Sequence, residues 1–341
     1  QAMFGVVQFF GFFQISTTLW VTGSFDNPAG FAACLCAGFP FVGFLLSDSN
    51  KYIRYVGGLI GFVIVIAVIL SQSRAGIMSI AFICFILLNM KFFHKRWVKY
   101  LSLLCFALLL SGCYWMKKDS ADGRLLIWRC SVSMVKDAPW LGHGIGSFEA
   151  RYMDYQADYF RQYGLNRYSM LADNVKHPFN EFLRVGLLMI LALITLLIYC
   201  YKKHPCAEKR IAFCSLISIG VFSFFSYTFT YPFTWIVTFL CIIILTKEYI
   251  AKVFTCPIIK NTVCIFILLC SFWGIYNLVK RVMAEKEWGD TSRLALCGAS
   301  GKTLPAYAEL EKKFENNPYF LYNYAAILLE NKQYEESLTV A

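Results

Sequence analysis

Apolar residues run along the chain in long blocks separated by polar joints. Eight blocks are predicted as membrane helices: 31–46, 55–71, 76–92, 100–116, 179–201, 211–228, 232–246 and 258–279. The longest reach the roughly 18–20 apolar residues that cross a bilayer core. The joints alternate in charge. Joint 47–54 carries Lys51 and Arg54, and joint 91–99 carries Lys91, Lys95, Arg96 and Lys99. Joint 202–210 carries Lys202, Lys203, Lys209 and Arg210, and joint 247–260 carries Lys247, Lys252 and Lys260. These are every second connection, and Lys/Arg excess marks cytoplasmic loops. The opposite, outer face is therefore expected to hold "SQSRAG", the stretch 117–178, the "TYP" turn and everything after Lys280.

The stretch 117–178 is too long for an ordinary connection. Its aromatics (Trp128, Trp140, Phe148, Tyr152, Tyr155, Tyr159 and Phe160) predict an ordered cap on the membrane face. Residues 281–341 are polar and helical in pattern, and are expected to form a separate segment after a membrane domain spanning 1–280. In that segment Ala306, Pro318, Tyr324, Ala325, Leu328, Tyr334 and Leu338 resemble parts of two tetratricopeptide repeats, with Ser337 where a small Ala is usual. A generic helical hairpin is the plainer alternative.

Composition supports the membrane class. The chain is 58% hydrophobic and only 16% charged, where soluble domains carry about a quarter charged residues. The net charge of +11 would suggest nucleic acid in a soluble protein. In this chain it belongs to the cytoplasmic joints, and no nucleic-acid partner is expected. Most of the 14 cysteines fall in apolar runs, and no C-x-x-C pair exists. They read as small hydrophobes rather than as disulfide, zinc or redox ligands. The chain begins at Gln1 without a signal-peptide pattern, so further spans are expected before it.

Topology sorts the residues able to do chemistry. His94 and His204 lie in basic joints and read as solvated surface. His143 sits among glycines in "PWLGHGIGSF". His177 precedes Pro178, which suits a first helical position. A positive helix end would keep the imidazole neutral and able to act as a general base; a cap without chemistry is the alternative. Arg74 stands where one span ends and the next begins, a costly place for a buried charge. Arg124 and Arg129 flank Trp128 in "DGRLLIWRC" and, five apart, need not share a helix face. Guanidinium groups suit bidentate recognition of phosphate. A row of them above an apolar bundle suits a lipid-linked phosphate, whereas snorkelling to lipid headgroups is the alternative. Glu181 and Arg184 are spaced to pair on one helix face, Glu181 could orient His177, and Asn180 could donate to a sugar or phosphate oxygen. No D-x-D pair and no phosphate-loop signature occurs. A metal-bound nucleotide-sugar site and an ATP-driven pump are therefore unsupported.

Four stretches, "VTGSFDNPAGFAACL", "SQSRAG", "GRLLIWRCSVSMVKDAPWLGHGIGSF" and "HPFNEFLRVGLL", together resemble the O-antigen ligase / O-antigen polymerase family, over about residues 15–280. The tail resembles the periplasmic repeat domain that some members carry. The resemblance implies an all-α, polytopic transmembrane bundle of the GT-C type in the bacterial inner membrane, with 117–178 and the tail in the periplasm. It implies a glycosyltransferase that moves a glycan from an undecaprenyl-diphosphate donor to an acceptor hydroxyl. Lipid A core, a growing polysaccharide and a protein are the acceptor classes it admits. A protein partner could also engage the tail. Arg74 and Arg124 would grip the diphosphate; Arg129, Asn180, Glu181 and Arg184, read from their own positions and chemistry rather than from the family, are further expected substrate-binding residues. His177 would act on the acceptor hydroxyl. No metal and no cofactor is implied. Family members often place Asn directly after the His; here Pro178 and Phe179 intervene, leaving Asn180 as an alternative occupant of that place. A transporter or flippase of lipid-linked glycans is the competing class. It would more often carry ionisable groups at mid-membrane, and the span interiors here are nearly free of charge.

Overall fold

The computed structural model of the chain describes residues 1–12, 21–91, 96–116, 118–139, 143, 147–184, 191, 194–195, 197–199, 201–202, 206–253, 257–314 and 317–340. His94, His204, Trp140, the glycines of "LGHGIGSF" and much of the predicted span 179–201 lie outside the described residues. Among those described the fold is all-helical, with no strand. Five helices are long and apolar enough to cross a membrane, as the multi-pass expectation required. The chain packs as two units, Gln1–Ile250 and Ala251–Ala341.

In the first unit α1 (Ala2–Phe9) precedes α2 (Pro28–Gly38), which continues through a 3-10 turn into α3 (Val42–Leu46). Asn27 caps α2 by accepting from the Gly30 amide at 2.9 Å, and Pro28 occupies the first turn, where its missing N–H costs nothing. Phe31, Ala32, Ala33, Cys36 and Ala37 are at most 2% exposed. This helix is apolar on every side because it stands in the middle of the bundle. Around it pack α4 (Lys51–Leu70), α5 (Arg74–Lys91) and α10 (Ala207–Phe225), with α6 (Arg96–Met116) against α5.

Small residues set these distances. Ser218 donates to the Cys36 carbonyl and Ser215 to the Ala37 carbonyl, each at 2.7 Å, while Ser79 donates to the Ser218 carbonyl at 2.7 Å. In an apolar surround, small side chains let helix backbones approach closely. Gly76, in "SQSRAG", is the tightest case bearing on the site. A Cβ there would lie 2.9 Å from Val68 Cγ1 and 3.0 Å from Ala32 Cβ. In an open helix, Gly to Ala stabilises by about 1 kcal/mol. Here overpacking opposes it, at about 1–3 kcal/mol. Gly76→Ala is therefore expected to lower the thermal unfolding midpoint in detergent; a raised midpoint would show that the three helices are not in close contact at this point.

At the other end of α10, Lys209 is fully buried and ion-paired with Glu248 of α11 (Pro232–Val253), and Lys247 pairs with Glu208 at 2.7 Å. The sequence places Lys209 in a solvated joint. The structure corrects this: α10 begins at Ala207, and Lys209 is buried with its charge met by Glu248, whose own side chain stays partly exposed.

The stretch 117–178 folds into α7 (Lys118–Asp137), α8 (Ser147–Tyr163) and a 3-10 turn at Ser169–Leu171. Leu126, Ile127, Cys130, Tyr152 and Tyr168 form its core. After it comes the single described turn α9 (Glu181–Arg184).

In the second unit, α12 (Pro257–Leu294) runs without a break through position 280 and is followed by α13 (Ser300–Phe314), α14 (Pro318–Glu330) and α15 (Tyr334–Val340). Tyr307, Phe314, Phe320 and Leu328 form its core. The Asn323 side-chain oxygen accepts from Tyr307 at 2.6 Å and from Trp288 at 3.1 Å. Ser337 donates to the Ala325 carbonyl at 2.9 Å, tying α15 to α14.

Candidate active site

"SQSRAG" folds as one helix end, a turn and a capped helix start. The Ser71 hydroxyl donates to the Val68 carbonyl at 2.7 Å, Gln72 takes a positive φ of 52°, and the Ser73 side chain accepts from the Gly76 amide at 3.3 Å. This delivers Arg74 as the first residue of α5. Its Nη2 donates to Ser120 Oγ of α7 at 2.7 Å. Ser120 and Arg124 are four apart and share one face of α7, so the contact that fixes Arg74 also turns Arg124 towards it.

Arg124 Nη1 donates to the Phe225 carbonyl at 2.7 Å. Phe225 ends α10, and its carbonyl is one of those a helix leaves unsatisfied. The bond uses one of the five guanidinium donors. The guanidinium also lies 5.0 Å from the Phe179 ring centroid, within cation–π range. Burial, and then the positive charge of Arg74, push the Arg124 pKa down to about 10. Two cations therefore share one weakly solvated space. That space is a cavity of about 330 Å³, lined by both arginines with Leu110, Tyr114, Trp128 and Phe225. An entirely apolar cavity of about 370 Å³ adjoins it, sharing Met78, Leu110 and Phe225 and adding Phe82, Phe106 and Phe182.

His177 is half-buried, with its ring 5.0 Å from that of Tyr227. Tyr227 also meets Phe179 at 5.4 Å. Asn27 Nδ2 approaches the Tyr227 hydroxyl at 3.5 Å, and Asn27 Oδ1 accepts from Tyr231 at 2.9 Å. His177 is thus linked to Arg124 through the Tyr227 and Phe179 rings.

The structure corrects the expected helix start at Pro178. Phe179 has φ of 51°, and the helix begins at Glu181 with Asn180 as its cap, accepting from the Phe182 and Leu183 amides at 2.9 and 3.3 Å. His177 lies in the loop before this cap, so a helix dipole starting at Pro178 does not set its protonation. Asn180 is 4% exposed and its oxygen is engaged as the cap. Glu181 is also buried and accepts from the Phe229 amide at 3.2 Å. Both hold the loop's shape. The side chain of Arg184 lies outside the described residues.

Arg129 does not join the other two arginines. It donates to the Tyr159 hydroxyl at 3.2 Å and lies over the Tyr168 ring at 5.2 Å, on the side facing α8. His143 approaches the Met134 carbonyl with Nε2 at 2.9 Å and Arg151 Nη1 with Nδ1 at 3.0 Å. A carbonyl only accepts and a guanidinium only donates, so this geometry selects the neutral Nε2–H tautomer. His143 is thereby tied to both α7 and α8.

Sequence reasoning missed Tyr227 and Trp128. "SYTFTYP" carries Tyr227 as a polar aromatic at a break between apolar runs, the signal by which it could have been found. Trp128 lies four residues after Arg124 and so on its face. Its ring meets Phe224 edge-on at 5.5 Å, and its indole Nε1 is buried with no hydrogen-bond partner among the described residues.

Residues 59–187 match the family model described as O-antigen ligase, a span holding both cavity arginines and His177. No curated protein and no solved structure matches the chain. Over residues 59–187 the chain is thus similar to the O-antigen ligase family, within a multi-pass membrane protein.

Proposed function

We propose that this protein transfers a glycan from an undecaprenyl-diphosphate donor to an acceptor hydroxyl at the periplasmic face of the inner membrane. The observation that carries this reading is the cavity shared by Arg74 and Arg124, walled off by Met78, Leu110 and Phe225 from an adjoining, purely apolar one. The donor has a doubly charged head on an isoprenoid tail. The head suits two guanidinium groups whose mutual repulsion an anion relieves, and the tail suits the phenylalanine-lined space between α5, α6 and α10.

In the proposed reaction the acceptor oxygen attacks the sugar carbon bonded to diphosphate as His177 takes the hydroxyl proton. The carbon–oxygen bond to diphosphate breaks, and its electron pair leaves with the polyprenyl diphosphate. Arg74 and Arg124 face the charge that grows there. A single displacement inverts the sugar carbon. The arginines supply the positive charge, so the reaction is proposed to need no metal. Lipid A core, polysaccharide and protein all remain acceptor classes for this chemistry, and the helical tail is proposed as a periplasmic, tetratricopeptide-like partner surface.

The test is transfer by the purified protein in nanodiscs, given a polyprenyl-diphosphate oligosaccharide and each acceptor class in turn. Release of polyprenyl diphosphate with a glycosylated acceptor, undiminished by EDTA, is the expected result. Loss in EDTA restored by magnesium would overturn metal independence. Movement of intact donor between leaflets without transfer would favour a transporter.

A further inference from the structure

A third cavity lies beside the arginine site and no role has been assigned to it. It is an open groove of about 670 Å³ between α7 and α8, and Trp128 lines both it and the arginine cavity. Along α8 the groove is lined by Tyr155, Tyr159 and Tyr163, spaced four apart so that they form one stripe. Its polar wall includes Gln162 and Ser133. Its charges balance: Arg129 and Lys136 against Asp137 and Asp158.

From this arrangement the geometry points to a binding groove for the sugar chain of the donor, entered past Trp128 from the diphosphate site. Sugars present apolar C–H faces and hydroxyl edges. Tyrosine rings offer surfaces for the first, and carboxylates, an amide and hydroxyls offer partners for the second. The balanced charge suits a neutral chain better than a polyanion, and the polar wall argues against a lipid tail. The volume lies in the roughly 300–1,000 Å³ range of small-molecule sites, enough for several sugar units. Adjacency decides for donor over acceptor. Trp128 separates this groove directly from the cavity holding the leaving group, whereas His177 approaches that cavity through Tyr227 and Phe179.

The inference rests on the proposed transfer reaction, and its test separates the two. Tyr163 is 61% exposed, so Tyr163→Ala should fold. The readout is the ratio of kcat/KM for a long-glycan donor to that for a monosaccharide donor on the same polyprenyl diphosphate. Tyr163→Ala should lower this ratio about tenfold, equivalent to ~1.4 kcal/mol, through the KM of the long donor. Asp154→Ala, exposed on α8 and outside the groove, should leave the ratio unchanged. An unchanged ratio in Tyr163→Ala overturns the inference, as does a rise in acceptor KM alone, which would assign the groove to the acceptor. Free neutral oligosaccharide, followed by saturation-transfer NMR, provides a readout independent of turnover. Binding that Tyr163→Ala abolishes, in a protein that transfers nothing from either donor, would uphold the groove while sinking the transfer reading.

Discussion

Replacing His177 with alanine is expected to cut turnover by about 10²–10⁴-fold, the usual contribution of a positioned general base, while donor affinity stays near that of the parent. The two quantities separate because His177 packs on Tyr227, outside the two-arginine cavity. Donor binding would be read by fluorescent polyprenyl-diphosphate titration in nanodiscs, and turnover by single-turnover quench. Asn180→Ala is the necessary companion. Asn180 caps the turn at Glu181, and loss of a cap costs about 0.5–2 kcal/mol, so that variant should lose thermal stability first. Normal turnover in His177→Ala, with collapse in a still-folded Asn180→Ala, would overturn His177 as the base and move the acceptor site towards Asn180.

Arg124→Ala is expected to weaken donor binding and to lower turnover by about 10²–10³-fold, the typical cost of deleting one preorganised donor to a developing charge. Two roles must be told apart, since Arg124 also satisfies the Phe225 carbonyl at the end of α10. Arg124→Lys resolves them. Lysine keeps the charge but loses the planar fork that can hold a carbonyl and a phosphate together. It should recover part of the donor affinity and less of the turnover. An alanine variant that unfolds at lower temperature yet turns over normally would reduce Arg124 to a helix cap.

The sequence by itself determined the membrane class, the all-α fold and most helix positions. Unbroken apolar runs are local signals, because the length of a span is decided within its own run of residues. It also brought forward Arg74, Arg124 and His177, since charge beside an apolar run is visible without any contact. Only the tertiary structure decided how those residues stand to one another. Arg74 meets Ser120 across 46 residues of chain, and Arg124 meets Phe225 across 101. Such pairings depend on how closely α2, α4, α5 and α10 approach, which Gly76 and the serine seam settle. The same packing sent Arg129 to the α8 side, moved the helix start from Pro178 to Glu181 with Asn180 as its cap, and left Trp128 between two cavities. Periodicity along one strand of sequence assigns a residue to a helix face; what that face meets is set by the packing energy of the whole bundle.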